Sequence, residues 1–261
     1  MSKFEIKLSK SITWDPLNQI SALIAGSRGS GKTYLLMYLV RSLAVSGGQI
    51  YVIDVKNDLA QIKPLLPADR VAINADEALK LLIHFRDLMF KRLDLIKDKG
   101  HFATAKSLEL SPFYLIIDEF SSLNLSFSGV SKEEKSKKFE FNKLLKEVIL
   151  LGRSAGFGLI VTSQQISVQN SGISTDIQEN IGLRVHMGIA SKTAYANTFG
   201  YDFEIPESLY LKPSQGLIWL DSQEFGQTVR GFAAPFIKND PWDLLEQAFK
   251  GSQNEDKYLI N

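Results

Sequence analysis

The sequence predicts an α/β fold in which a mostly parallel central sheet carries helices on both faces. Short, continuous apolar runs alternate with longer amphipathic stretches along most of the chain. Runs without a polar face belong to strands buried on both sides of a parallel sheet, with helices as right-handed crossovers. Composition agrees, since 44% hydrophobic and 23% charged residues over 261 positions are those of an ordinary globular protein with a sizeable core.

Taken in order, Phe4, Ile6 and Leu8 alternate with Glu5 and Lys7, which reads as an exposed or edge strand, and Trp14-Asp15-Pro16 marks a turn after it. Six apolar runs follow as core strands: Ala22 to Ala25, Ile50 to Ile53, Val71 to Ile73, Tyr114 to Ile117, Leu159 to Thr162 and Leu183 to Met187. Between them, Thr33 to Val45 is a helix stopped by Gly47-Gly48. Asp76 to Lys99 places Leu79, Leu82, Ile83, Leu88, Met89, Leu93 and Ile96 mostly three or four apart, an amphipathic helix closed by Gly100, and Glu133 to Leu151 repeats that pattern. The Ser-, Asn- and Lys-rich stretch Ser121 to Lys138 reads as a mobile loop, and the polar tail after Lys250 is expected to fray. The resulting division is an N-terminal β cap over 1–20, the α/β core over 21–240, and a C-terminal helix and tail over 241–261.

Composition also limits the function. A formal charge of +1 shows no global polybasic character, so any nucleic-acid contact has to come from local patches or from several subunits together. Lysines gather in Lys91 to Lys99 and Lys132 to Lys146, but interleaved acids make these solvated helix faces. Without cysteine there is neither a disulfide framework nor a thiolate metal site, and the scattered His84, His101 and His186 lack metal-ligand spacing. Met1 to Ile12 lacks the apolar centre of a signal peptide. Tyr34 to Val45, interrupted by Arg41, falls short of the roughly 20 apolar residues a membrane span needs. A cytoplasmic protein is the expectation.

Two motifs carry chemistry. Gly26-Ser27-Arg28-Gly29-Ser30-Gly31-Lys32-Thr33 satisfies G-x-x-x-x-G-K-[ST], with a strand before it and a helix after it. Glycines let the backbone turn tightly and bring its N–H groups against phosphate oxygens, and the helix start adds its positive end. Lys32 is expected to neutralise the β- and γ-phosphates of ATP, and the Thr33 hydroxyl to ligate Mg²⁺. Phe113 to Ile117 is an apolar strand ending in Asp118-Glu119. Asp118 suits a role in holding Mg²⁺, and Glu119 suits polarising the attacking water. At least two strand candidates stand between Lys32 and Asp118, which favours a RecA-like P-loop core. Trp14 and Tyr34 are nearest the P-loop among the aromatics and are candidates to flank adenine, with core packing as the competing use.

Downstream, Leu151-Gly152-Arg153-Ser154-Ala155-Gly156-Phe157 leads into a strand ending Val161-Thr162-Ser163-Gln164. Here the chain resembles the FtsK/HerA superfamily of DNA-pumping ATPases, whose members carry Arg-Ala-x-Gly and then a strand ending Ala-Thr-Gln. Ile53-Asp54-Val55-Lys56 is similar to the family's Asp-x-Lys, Asn180 to Val185 to its Asn-x-x-x-Arg segment, and Phe199-Gly200 to its later glycine. The likeness runs from about Leu8 to Leu220 and looks closest to FtsK/SpoIIIE-like transfer ATPases of conjugative elements. It implies Gln164 as the γ-phosphate sensor. It also implies an arginine that completes a neighbouring subunit's site, either Arg153 or Arg92, whose Met89-Phe90-Lys91-Arg92 resembles the family's Met-x-x-Arg. Arg184 competes between that segment's function and a buried structural ion pair. Gln165 departs from the arginine many members carry, and the chain shows neither a membrane anchor nor a winged-helix domain.

The expectation is therefore an ATP-driven DNA translocase serving transfer of a mobile element. It would act as a homo-oligomer, in a hexameric ring, on DNA held by its backbone without sequence preference, with a relaxase or other transfer proteins as partners. A viral genome-packaging ATPase and a nucleotide-dependent regulatory module without motor activity are the alternatives.

Overall fold

The computed structural model describes residues 3–127, 129, 131–164, 175–206 and 210–259. A two-residue ladder pairs β1 (Ile6–Lys7) with β2 (Thr13–Trp14). The main sheet then holds β3 (Ala22–Gly26), β4 (Gln49–Ile53), β5 (Val71–Ala72), β6 (Phe113–Ile117), β7 (Phe157–Ser163), β8 (Leu183–Met187), β9 (Gln215–Leu220) and β10 (Arg230–Ala233). Their spatial order is β10-β9-β8-β3-β7-β6-β4-β5. The pairings from β8 across to β5 are parallel, and β9 and β10 extend one edge antiparallel.

The helices are α1 (Lys32–Val45), α2 (Ala75–Lys97), α3 (Phe120–Ser126), α4 (Lys132–Ala155), α5 (Thr175–Glu179), α6 (Lys192–Phe199), α7 (Pro241–Phe249) and α8 (Glu255–Tyr258). Strand alternation divides the apolar residues between two layers. Ile24, Ile116 and Ile160 face a cluster that includes α1 and α7, whereas Leu23, Leu115 and Leu159 face α2 and α4. All six core strands read from the sequence are present, and the missed β9 and β10 lie at the antiparallel edge.

Three expectations change. Phe4, Ile6 and Leu8 are buried, and Ile6, Leu8 and Trp14 join the α1 core cluster, so the small N-terminal β cap is present as expected but its strand is packed on the core and not exposed. The stretch Ser121 to Lys138 contains most of α3 and the start of α4, whose N-terminus is closed by a capping box. There the Ser131 hydroxyl accepts from the Glu134 amide (3.1 Å) while the Glu134 carboxylate accepts from the Ser131 amide (3.4 Å). The polar composition masks α3, whereas α4 starts one residue before the Glu133 at which the sequence places its helix. The tail after Lys250 docks instead of fraying: Gln253 accepts from the Ile50 amide (2.9 Å) and Arg70 (3.0 Å), and Glu255 accepts from the Tyr51 hydroxyl (2.5 Å).

Candidate active site

Parallel strands deliver their carboxyl ends to one edge of the sheet, so the loop after β3 and the acids after β6 meet in a crevice there. β7 lies between β3 and β6, in register with Ile24 through Thr162 and with Ile117 through Val161. It thus inserts its own polar end, Thr162-Ser163-Gln164, between the phosphate loop and the acids. The resulting cavity, about 740 Å³, is lined by Arg28, Gly29, Gly31, Lys32, Thr33, Tyr34, Lys56, Asp58, Asp118, Glu119, Thr162, Gln164 and Ser214.

The loop from Gly26 to Gly31 turns back on β8. Gly26 has φ 141°, and a Cβ there would come within 2.4 Å of the Met187 carbonyl oxygen, so only glycine lets the loop leave β3 on this course. Ser27, Arg28 and Gly29 are exposed, whereas the Ser30 hydroxyl is buried without a hydrogen-bond partner. The Lys32 ammonium donates to the carbonyl oxygens of Gly26 (2.6 Å) and Ser27 (3.0 Å), the geometry of a lysine folded over its own loop. Burial lowers its pKa, and the opposing pull of Glu119 and Asp118 raises it. Thr33 is exposed at the start of α1, beside the cavity.

Across the crevice, burial raises the pKa of Asp118, while the Thr162 hydroxyl, donating to Oδ1 at 2.6 Å, acts against it. Glu119 is 5% exposed and caps α3 in the left-handed region, φ 51° and ψ 72°. Its amide donates to Thr162 Oγ1 (2.9 Å), and its carboxylate accepts from the Gln164 amide (3.2 Å to each oxygen) and the Ser121 hydroxyl (2.8 Å). Lys56 Nζ stands 3.7 Å from Glu119 Oε2. Site roles for Lys56, Ser121, Thr162 and Ser214 were not read from the sequence. Lys56 has a signal in its Asp-x-Lys, whereas Thr162 and Ser214 reach the cavity, and Ser121 reaches Glu119, only through strand register and loop packing.

The three arginines separate. Arg153 is exposed at the end of α4, near the amino end of β7, with Nη2 at 3.4 Å from Asn18 Oδ1. That is the sheet edge opposite the crevice, about 20 Å away along a seven-residue strand. Arg92 corrects the expectation of a residue reaching into a neighbour's site. It is fully buried, stacks over Phe113 at 4.4 Å, and donates to the carbonyls of Leu259 (2.6 Å), Ser111 (2.8 Å), Ala155 (3.0 Å) and Tyr258. Arg184 is also buried, bound to the carbonyls of Ile181 and Phe199 and lying 4.6 Å over Trp219, so its partners are carbonyls and rings. Trp14 is core, donating to the Gln19 carbonyl (2.8 Å), while Tyr34 lines the cavity and is 56% exposed. Gln165 lies outside the described residues.

Against known proteins, a family model described as an AAA domain matches residues 11–132. The Ftsk domain-containing protein YdcQ of Bacillus subtilis (strain 168) is 27% identical over 199 residues, covering 75% of this chain and 40% of that protein. The fold is that of a P-loop ATPase, and the chain is similar to FtsK-type proteins. Among solved structures, the pCW3 conjugation coupling protein TcpA, a monomer form with ATPγS, shares the fold. It aligns with TM-score 0.73 and 21% identity over 94% of this chain and 70% of its own. The cytoplasmic domain of the Thermomonospora curvata type VII secretion ATPase EccC aligns with TM-score 0.65 and 19% identity over 98% of this chain and 32% of its own. The chain thus spans about two fifths of its B. subtilis relative and a third of the EccC domain.

Proposed function

We propose that this chain is a Mg²⁺-dependent ATPase whose turnover moves DNA through a homo-oligomeric, hexameric ring during transfer of a mobile element. One observation carries the reading: the phosphate loop, the acid pair and the polar end of the strand between them line a single cavity. The FtsK-type relative and the shared fold of a coupling protein holding ATPγS support it.

The residues fit the ion this reaction needs. Thr33 and Asp118 offer only hard oxygen ligands, and among the described residues no cluster of three His, Cys, Asp or Glu side chains could hold a metal alone. Mg²⁺ suits such a site because it keeps waters and takes phosphate oxygens beside one or two protein ligands. Bound there, it would draw charge from the phosphoryl oxygens.

The chain's own residues do the rest. The Ser27 to Gly31 amides and the start of α1 hold the phosphates. Lys32 exchanges its two carbonyl partners for phosphate oxygens. Glu119, freed from Ser121 and the Gln164 amide, orients the attacking water and takes its proton. Gln164 contacts the γ-phosphate, and Arg153 from an adjacent copy stabilises the charge that builds on it. Duplex and single-stranded DNA would be gripped by phosphate charge, with no base read.

The test is ATP turnover by the purified chain with and without DNA of increasing length. Turnover should rise with DNA and vanish in Lys32→Ala. A rate indifferent to every nucleic acid would end the motor reading in favour of the regulatory module. The packaging alternative shares this engine and differs in cargo, which copurifying partners, a relaxase or a capsid protein, would identify.

A further inference from the structure

We propose that Thr162 is a positioning residue that ties both acids of the site to β7, setting metal affinity through Asp118 and the pose of the water-activating Glu119. The inference rests on the ATPase reading above. Thr162 is 2% exposed, and the register of Ile117 with Val161 brings it alongside Asp118.

A hydroxyl offers one donor and two acceptor positions, and here both capacities point at the acid pair. It donates to Asp118 Oδ1 at 2.6 Å and accepts from the Glu119 amide at 2.9 Å. The first bond orients the carboxylate that lines the cavity. The second satisfies an amide at the start of α3, where Glu119 adopts a left-handed conformation that side chains other than glycine disfavour and that needs outside support. Alanine could make neither bond, and valine would fill the same space without making them. Aligned on Gln164, the Ala-Thr-Gln run of the resembling family places alanine at this position, so the resemblance does not account for the hydroxyl.

The consequence is mechanical. Gln164 follows directly on β7, and its amide also holds the Glu119 carboxylate, so one strand end grips both acids beside the proposed phosphate site. Movement of that end is transmitted to Asp118 and Glu119 together.

The test compares wild type, Thr162→Val, Thr162→Ser and Glu119→Gln. Mn²⁺ serves as the spectroscopic probe, titrated by electron paramagnetic resonance onto the protein with ADP, beside steady-state turnover. Thr162→Val should weaken Mn²⁺ binding and lower kcat by roughly 10–100-fold each, the usual effect of removing a group that orients a metal ligand. KM for ATP and ADP affinity without metal should not move, and Thr162→Ser should restore both losses. Wild-type Mn²⁺ affinity in a folded Thr162→Val protein overturns the proposal. Should that variant not fold, Thr162→Ser must bind Mn²⁺ more tightly than Thr162→Ala, and equal affinities overturn it. A wild-type chain that binds Mn²⁺–ADP yet never hydrolyses ATP sinks the enzymatic reading alone, since the titration still judges Thr162.

Discussion

Arg92 and Arg153 carry the same charge in opposite settings, and sequence spacing could not tell them apart. Arg92 ties the amino-end approaches of β6 and β7 to the C-terminal segment through four carbonyls, and burial lowers its pKa only to about 9, so it remains charged at neutral pH. Arg92→Met should cost about 3 kcal/mol or more in urea unfolding, because buried carbonyls lose their donor, and it should leave nucleotide affinity unchanged. A loss of turnover at full stability would reverse that assignment. Glu119→Gln should keep nucleotide binding while turnover falls about 10²–10⁴-fold, the range for a general base, as read by single-turnover kinetics. His186 is 5% exposed, and burial, with Lys32 adding to it, depresses its pKa to about 4. Thr198 Oγ1 donates to the Ala194 carbonyl, so the His186 Nδ1–H donates to Thr198 in a neutral ring. The unfolded chain binds that proton near pH 6.5 and the folded chain near 4, so stability falls with pH across this window, by about 3 kcal/mol in all. Urea midpoints between pH 7.5 and 4 should follow that course, and His186→Gln should flatten it.

At the scale of elements, α4 shows how local signals can outweigh composition. Its lysine-rich first turns overlap the stretch that reads as a loop by residue type, yet Ser131 and Glu134 form a capping box and Glu133 and Glu134 place negative charge at the positive end of the helix dipole. Ser131→Ala should lower stability by about 1 kcal/mol and leave turnover intact, which thermal unfolding beside an ATPase assay would check. The other end is closed by Gly156 at φ 71°, where a Cβ would stand 2.7 Å from that of Ala105. Strand β7, starting one residue later, brings the third polar contribution to the crevice. The sequence made its apolar body legible. Its place between β3 and β6, which turns Thr162 and Gln164 into site residues, came from pairing.

For the whole molecule, the deciding feature is that Arg153 and the crevice lie at opposite edges of one sheet. A single copy therefore cannot bring that arginine to its own crevice, so under the proposed ring an adjacent copy would have to supply it. Arg153→Ala and Lys32→Ala should each be inactive, and mixing them should restore turnover as Lys32→Ala subunits lend Arg153 to intact phosphate loops. Mixtures that stay inactive while both variants assemble would remove Arg153 from the reaction. The apolar face of α7 packs on α1 and the segment around Gln253 joins β4, so the C-terminal residues close the same core that holds the loop.

By itself, the sequence determined the parallel α/β core, the phosphate loop and the acid pair. Each is a local pattern: apolar runs too short for helices, glycines where backbone must meet phosphate, and carboxylates at a buried strand's end. Tertiary structure alone decided which arginines are buried, which hydroxyls reach the acids, and that a polar tail docks. Those outcomes depend on which strands become neighbours and which edge each side chain meets. Contacts between residues far apart in the chain leave no periodic mark along it.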